Sequence, residues 1–179
     1  MNKEQLLIAK EEYNAISQFI IAPEIYSTYI DKFPILKEIE PIEIFCSESI
    51  QFMASISNIN GVITQEALTI MNYITGENLS LQDIREIAKE NELLKGEAGV
   101  PFSVVFLFDI ENTLYERGNM FETRNSIMNK VVRYYTLIGL LVANVDSKIS
   151  FAQMSAINEY VNAIKQYARN NTVSPFFDD

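Results

Sequence analysis

The sequence predicts an all-α fold, and three observations carry the prediction. Apolar residues recur at spacings of three and four along most of the chain; no run alternates apolar and polar residues between hairpin turns; and prolines, glycines and hydroxyl residues fall where helices begin and end. Of the 179 residues, 48% are hydrophobic, enough to fill one core. Residues 1–171 are therefore expected to form a single domain of about seven to eight helices, leaving 172–179 as a short tail.

The elements follow in order. Leu6, Ala9, Tyr13, Ile16 and Ile20 share one stripe of a first helix. Pro23 suits a first helical turn, so a short second helix is expected over 24–32, broken by Pro34. Pro41 opens the next helix, with Ile42, Phe45, Ser49, Phe52 and Ile56 facing one way and Met53 widening the stripe. Ser80 reads as an N-cap with Asp83 in the first turn, and Leu81, Ile84, Ile87 and Ala88 form the apolar face behind it. Gly96 and Gly99 bracket a turn, Pro101 marks a helix start, and Gly118 stands where a left-handed C-terminal cap is expected. The most hydrophobic stretch, 100–108, is far shorter than the roughly 20 residues that span a bilayer, and reads as buried. Ile127, Val131, Tyr134, Ile138, Leu141 and Val145 define the clearest long helix, with the Tyr134 and Tyr135 pair expected to straddle core and surface.

An internal repeat runs through this pattern. Residues 58–74 align without gaps on 144–160, with Asn58, Ile63 and Asn72 matching identical residues at Asn144, Ile149 and Asn158. In each copy an apolar helix ends in a polar turn, an isoleucine plugs the corner, and a hydroxyl, Thr64 or Ser150, caps the next helix. The unit is a helical hairpin, present either by duplication or because helix-turn-helix grammar recurs.

The turn residues carry a resemblance. The segment around Ala143, Asp146, Ile149 and Ser150 resembles the TerB family (tellurite-resistance B and its TerB-like relatives), whose turn has the form A-x-D-G-x-I-S; Ser147 replaces the glycine here. The first copy keeps the glycine, Gly61, but has Asn60 at the aspartate position. The resemblance implies helical hairpins related by approximate two-fold symmetry, and a scaffold or stress-response role in tellurite or metal stress, phage defence or surface-associated complexes. It also implies divalent-cation binding through turn carboxylates, for which Asp146 and Glu66 are the candidate ligands, the alternative being that Asp146 and Asn60 cap their turns. An EF-hand is excluded, because no acidic residue closes a 12-residue loop.

Composition removes most other chemistry. The chain has no histidine and one cysteine, Cys46, so disulfide frameworks, Cys/His zinc sites, His-containing di-iron bundles and His-based triads are all excluded. Cys46 lies among isoleucines and phenylalanine and reads as a small buried hydrophobe. Net charge is −10, concentrated in the first 97 residues with 16 acidic against 7 basic side chains. This argues against a nucleic-acid partner and leaves either plain solubility or an acidic docking face. Glu38, Glu40, Glu43 and Glu48 around Pro41 read as a solvated acidic face. The N-terminus lacks the apolar core of a signal peptide, and with a single thiol the expected location is the cytoplasm.

The expected function is a non-enzymatic interaction or scaffold protein without an organic cofactor that contacts a protein partner or a second copy of itself; the alternatives are a divalent-cation-binding stress protein using the turn carboxylates and an enzyme with a carboxylate-based site. The contact surface is expected in the near-neutral, aromatic C-terminal third, at Tyr134, Tyr135, Tyr160, Tyr167, Phe176 and Phe177.

Overall fold

The stripe predicted along the first helix is the face that is buried: Leu6, Ala9, Tyr13, Ile16 and Ile20 are the buried residues of α1 (Lys3–Ile20). The computed structural model describes residues 3–21, 32–89, 99–118, 126–145 and 148–171. Among these residues a 3-10 turn (Pro34–Lys37) precedes α2 (Pro41–Asn58), α3 (Gln65–Thr75), α4 (Leu81–Lys89), α5 (Phe102–Glu116), α6 (Ile127–Ala143) and α7 (Phe151–Asn171). The fold of the described residues is all-α, without a strand. The short helix expected over 24–32 and the tail 172–179 lie outside the described residues, apart from Lys32, which sits in a turn.

Local chemistry sets the boundaries. Pro41 fills the first position of α2, where its missing N–H costs nothing. Thr64 Oγ1 accepts from Ala67 N at the start of α3, and α3 ends at Gly76, whose φ of +85° is the left-handed conformation that a side chain would disfavour. Ser80 and Asp83 form a reciprocal capping box at α4: Ser80 N donates to Asp83 Oδ2 at 2.7 Å, and Asp83 N donates to Ser80 Oγ at 3.3 Å.

The core is organised around α2 and α6. Helix α2 packs against α6, α4, α3, α5, α1 and α7, and α1 makes its most extensive contact with α6. Both helices are consequently buried on more than one side. An aromatic chain runs through this centre: Tyr13 stacks on Phe45 at 5.3 Å, Phe45 meets Tyr134 at 5.4 Å, Tyr134 meets Tyr135 at 5.3 Å, and Tyr135 meets Phe52 edge-on at 5.3 Å. Phe52 then contacts Tyr160 of α7 at 4.3 Å. The expectation that Tyr134 and Tyr135 straddle core and surface is corrected here. Both are fully buried, because α6 packs against five helices, α1, α7, α2, α5 and α3.

The repeat extends to the helix boundaries. Helices α2 and α6 begin at Pro41 and Ile127, and α3 and α7 begin at Gln65 and Phe151, the same offset that aligns the two turn sequences. Each hairpin also crosses the other, with α2 against α7 and α3 against α6. Ile63 is buried at its corner and Ile149 is half-buried against the core, so both isoleucines plug their turns, one more completely than the other.

Candidate functional site

The crossed hairpins bring their turns together. Gln153, in the first turn of α7, is buried and sits between the two copies. Its Oε1 accepts from Ser150 N at 3.0 Å, closing a capping box in which Gln153 N donates to Ser150 Oγ at 3.2 Å. The same Oε1 accepts from Asn60 Nδ2 of the first turn at 3.2 Å, while Nε2 donates to Ile56 O at the end of α2 at 3.3 Å. On the other side, Glu66 at the start of α3 and Asn144 at the end of α6 line one small cleft together with Gln5. Each turn therefore lies against the opening of the other hairpin's second helix.

This end of the molecule carries unusual apolar exposure. Phe151, the first residue of α7, is 89% exposed, and Val62 of the first turn is 64% exposed with Ile59 partly exposed beside it. Val62 and Phe151 each lie two residues from the hydrogen-bonded pair Asn60 and Gln153. Isolated exposed apolar side chains are ordinary, but a phenylalanine held out by a capped, 21-residue helix is preorganised for contact.

The candidate cation ligands are only half visible here. Asp146 lies outside the described residues, whereas Glu66 is exposed at the cleft with Asn144. Hard divalent cations take six to eight oxygens with several negative charges among them. Among the described residues the cleft offers a single carboxylate, and no group of three acidic, cysteine or histidine side chains assembles to hold a metal.

The surface expected in the C-terminal third is not assembled as predicted. Tyr134 and Tyr135 are core residues, Tyr160 and Tyr167 are half-buried, and Phe176 and Phe177 lie outside the described residues. Tyr167 meets Phe108 of α5 edge-on at 5.7 Å, which spends much of its ring on internal packing.

Two buried carboxylates were not singled out as buried by the sequence. Glu48, grouped with the solvated acids, is 2% exposed, while Glu38, Glu40 and Glu43 are exposed as expected. Its Oε1 accepts from Phe102 N at 2.7 Å and its Oε2 from Ser103 N at 3.1 Å, so it caps α5 from outside the local sequence. Glu111 of α5 repeats the device on α6, accepting from Ile127 N at 3.2 Å and from Met128 N at 3.0 Å. Burial pushes the Glu48 carboxyl up to about 7 and raises that of Glu111, and the hydrogen bonds from the helix starts offset this only in part. The available signal was register: Glu48 falls three residues after Phe45 and four before Phe52, on the apolar stripe itself.

Cys46 is half-buried in a cleft with Lys10, Tyr13, Glu43 and Glu77, its Sγ 3.7 Å from Glu77 Oε1. Burial pushes the thiol above its usual value, which keeps it protonated and weakly nucleophilic. Lys10 Nζ donates to Ile74 O at 2.8 Å, tying α1 to the end of α3, and its charge offsets the burial of the thiol only in part.

No protein-family model, curated protein or solved structure matches this chain, so the TerB-like resemblance rests on the turn residues themselves.

Proposed function

We propose that this chain is a non-enzymatic interaction protein of TerB-like type, whose contact surface is the end of the molecule where its two turns meet. The observation that carries the reading is Phe151, almost fully exposed on a helix start fixed by Ser150 and Gln153, with the exposed Ile59 and Val62 in the turn whose Asn60 bonds Gln153. Burying such a ring contributes roughly 1.5–3 kcal/mol, enough for one anchor of a modest interface. The partner is a different protein with an apolar socket and a basic rim, since two copies that each carry −10 repel one another. A reducing cytoplasm suits the single unpaired thiol. The family resemblance makes stress-response, phage-defence or surface-associated complexes the setting in which to look.

The test is Phe151→Asp. An acidic residue at the start of α7 interacts favourably with the helix dipole, so stability should hold or rise by a few tenths of a kcal/mol. A partner that co-purifies with the native chain in stoichiometric amount should be lost. Retention of that partner by Phe151→Asp and by Val62→Asp rejects the turn end as the contact surface.

A further inference from the structure

We propose that Glu48 is a proton-sensitive clasp on the start of α5, so that opening of this helix start is controlled by pH.

The geometry supplies the clasp. Both carboxylate oxygens of Glu48 are engaged by the first two amides of a 15-residue helix that begins after Pro101, and no local side chain caps it. Glu48 is thus the sole side-chain acceptor these amides have among the described residues. Beside the helix start lies a cavity of about 150 Å³, lined by Gly99, Val100 and Pro101 and by Ala156, Glu159, Tyr160 and Ala163 of α7. This is the free volume beside the segment that Glu48 restrains. The surroundings are uncharged: the side-chain polar groups that act on the carboxyl or are acted on by it are the hydroxyls of Ser103, Tyr135 and Tyr160.

The titratable groups facing Glu48 are Tyr135 of α6 and Tyr160 of α7. Burial holds both phenols well above their usual range, so they stay neutral. Ser103 and Phe102 of α5 act on the carboxyl through hydrogen bonds, and no cation from α1, α3 or α4 is among the described groups that influence it. The carboxyl therefore titrates at about 7 in the closed form, against an ordinary value of 4.5 when hydrated.

The direction follows from the sign of that difference. The closed form binds the proton more tightly than an opened form in which Glu48 meets water. Closure is firmest below about pH 4.5 and weakens as pH rises to about 7, with one proton released to solvent for each opening. Across that window the opening equilibrium changes by up to about a hundredfold or somewhat more.

The experiment follows the Glu48 side-chain carboxyl by 13C NMR and the hydrogen-exchange protection factors of the Phe102 and Ser103 amides, each corrected for intrinsic exchange, between pH 5 and 8. The expected result is a Glu48 titration near neutrality, together with a fall in protection of at least tenfold at both amides across the same range. Glu48→Gln should flatten the protection profile; if that variant does not fold, the two native-chain readouts decide the matter. A Glu48 titration near 4.5, a protection profile independent of pH, or an unchanged profile in Glu48→Gln overturns the proposal.

Discussion

Gln153 Oε1 accepts from Asn60 Nδ2 at 3.2 Å, a bond that joins the first turn of α7 to a loop 93 residues earlier in the chain. The same amide caps its own helix through Ser150 and reaches the last turn of α2 through Ile56 O. One buried side chain thus fixes the mutual placement of the two hairpins.

Replacing Gln153 with alanine should leave Ile56 O without its side-chain donor and remove the partner of Asn60. Because the group is buried, the expected cost is about 1–3 kcal/mol. Urea unfolding measures it, and Asn60→Ala in a double-mutant cycle should show coupling of about 0.5 kcal/mol or more.

The two corner isoleucines should differ. Ile63 is buried and Ile149 half-buried, so Ile63→Ala is expected to cost about 2–5 kcal/mol and Ile149→Ala roughly half as much. Equal values from chemical denaturation would contradict the unequal packing of the two turns.

Gly139 marks the closest approach of α6 to its neighbours. A Cβ placed there would sit 2.9 Å from Ile157 Cγ1 and 3.2 Å from Phe52 Cε1. Gly139→Ala gains helix propensity but overpacks this contact, with an expected net loss of about 1–2 kcal/mol. Thermal unfolding should show a lowered Tm for Gly139→Ala; an unchanged or raised Tm would contradict the close approach.

Glu111 provides a pH test separate from Glu48. Its carboxyl is raised by burial, so its contribution to stability is fullest below the ordinary carboxylate value of 4.5 and is lost as pH rises through its elevated folded-state value. The stability of the native chain relative to Glu111→Gln should therefore decline from pH 4.5 upward, as read from Tm at several pH values. A difference that grows with pH would reverse the assignment.

How much of this was legible in the sequence depended on where each helix sits. The α1 stripe could be read completely, because that helix is buried on one face only and its five inward residues keep strict helical spacing. Helix α2 could not. It is enclosed on several sides, so Ile44, Ile50 and Ala54 are buried outside the predicted stripe, and Glu48 is buried within it by virtue of a partner 54 residues away. The same enclosure explains Tyr134 and Tyr135. Neighbouring positions point about 100° apart and can both be buried only when a helix has core on two sides, which sequence spacing does not reveal. The candidate contact surface was visible only as a turn. The exposure of Phe151 follows from the opposite face of α7, where Gln153, Ile157, Val161, Ile164 and Ala168 take the core.

The claim that the turn end is the contact surface is tested most directly by placing a photo-crosslinking amino acid at position 151 in the intact chain, within cells that produce it natively. Tyr73, exposed on α3, serves as a control position. The account predicts one discrete adduct with a different protein from position 151, absent from position 73 and absent when Val62→Asp is added. An adduct whose mass is that of two copies of this chain, equal yields from both positions, or no adduct from position 151 would contradict it.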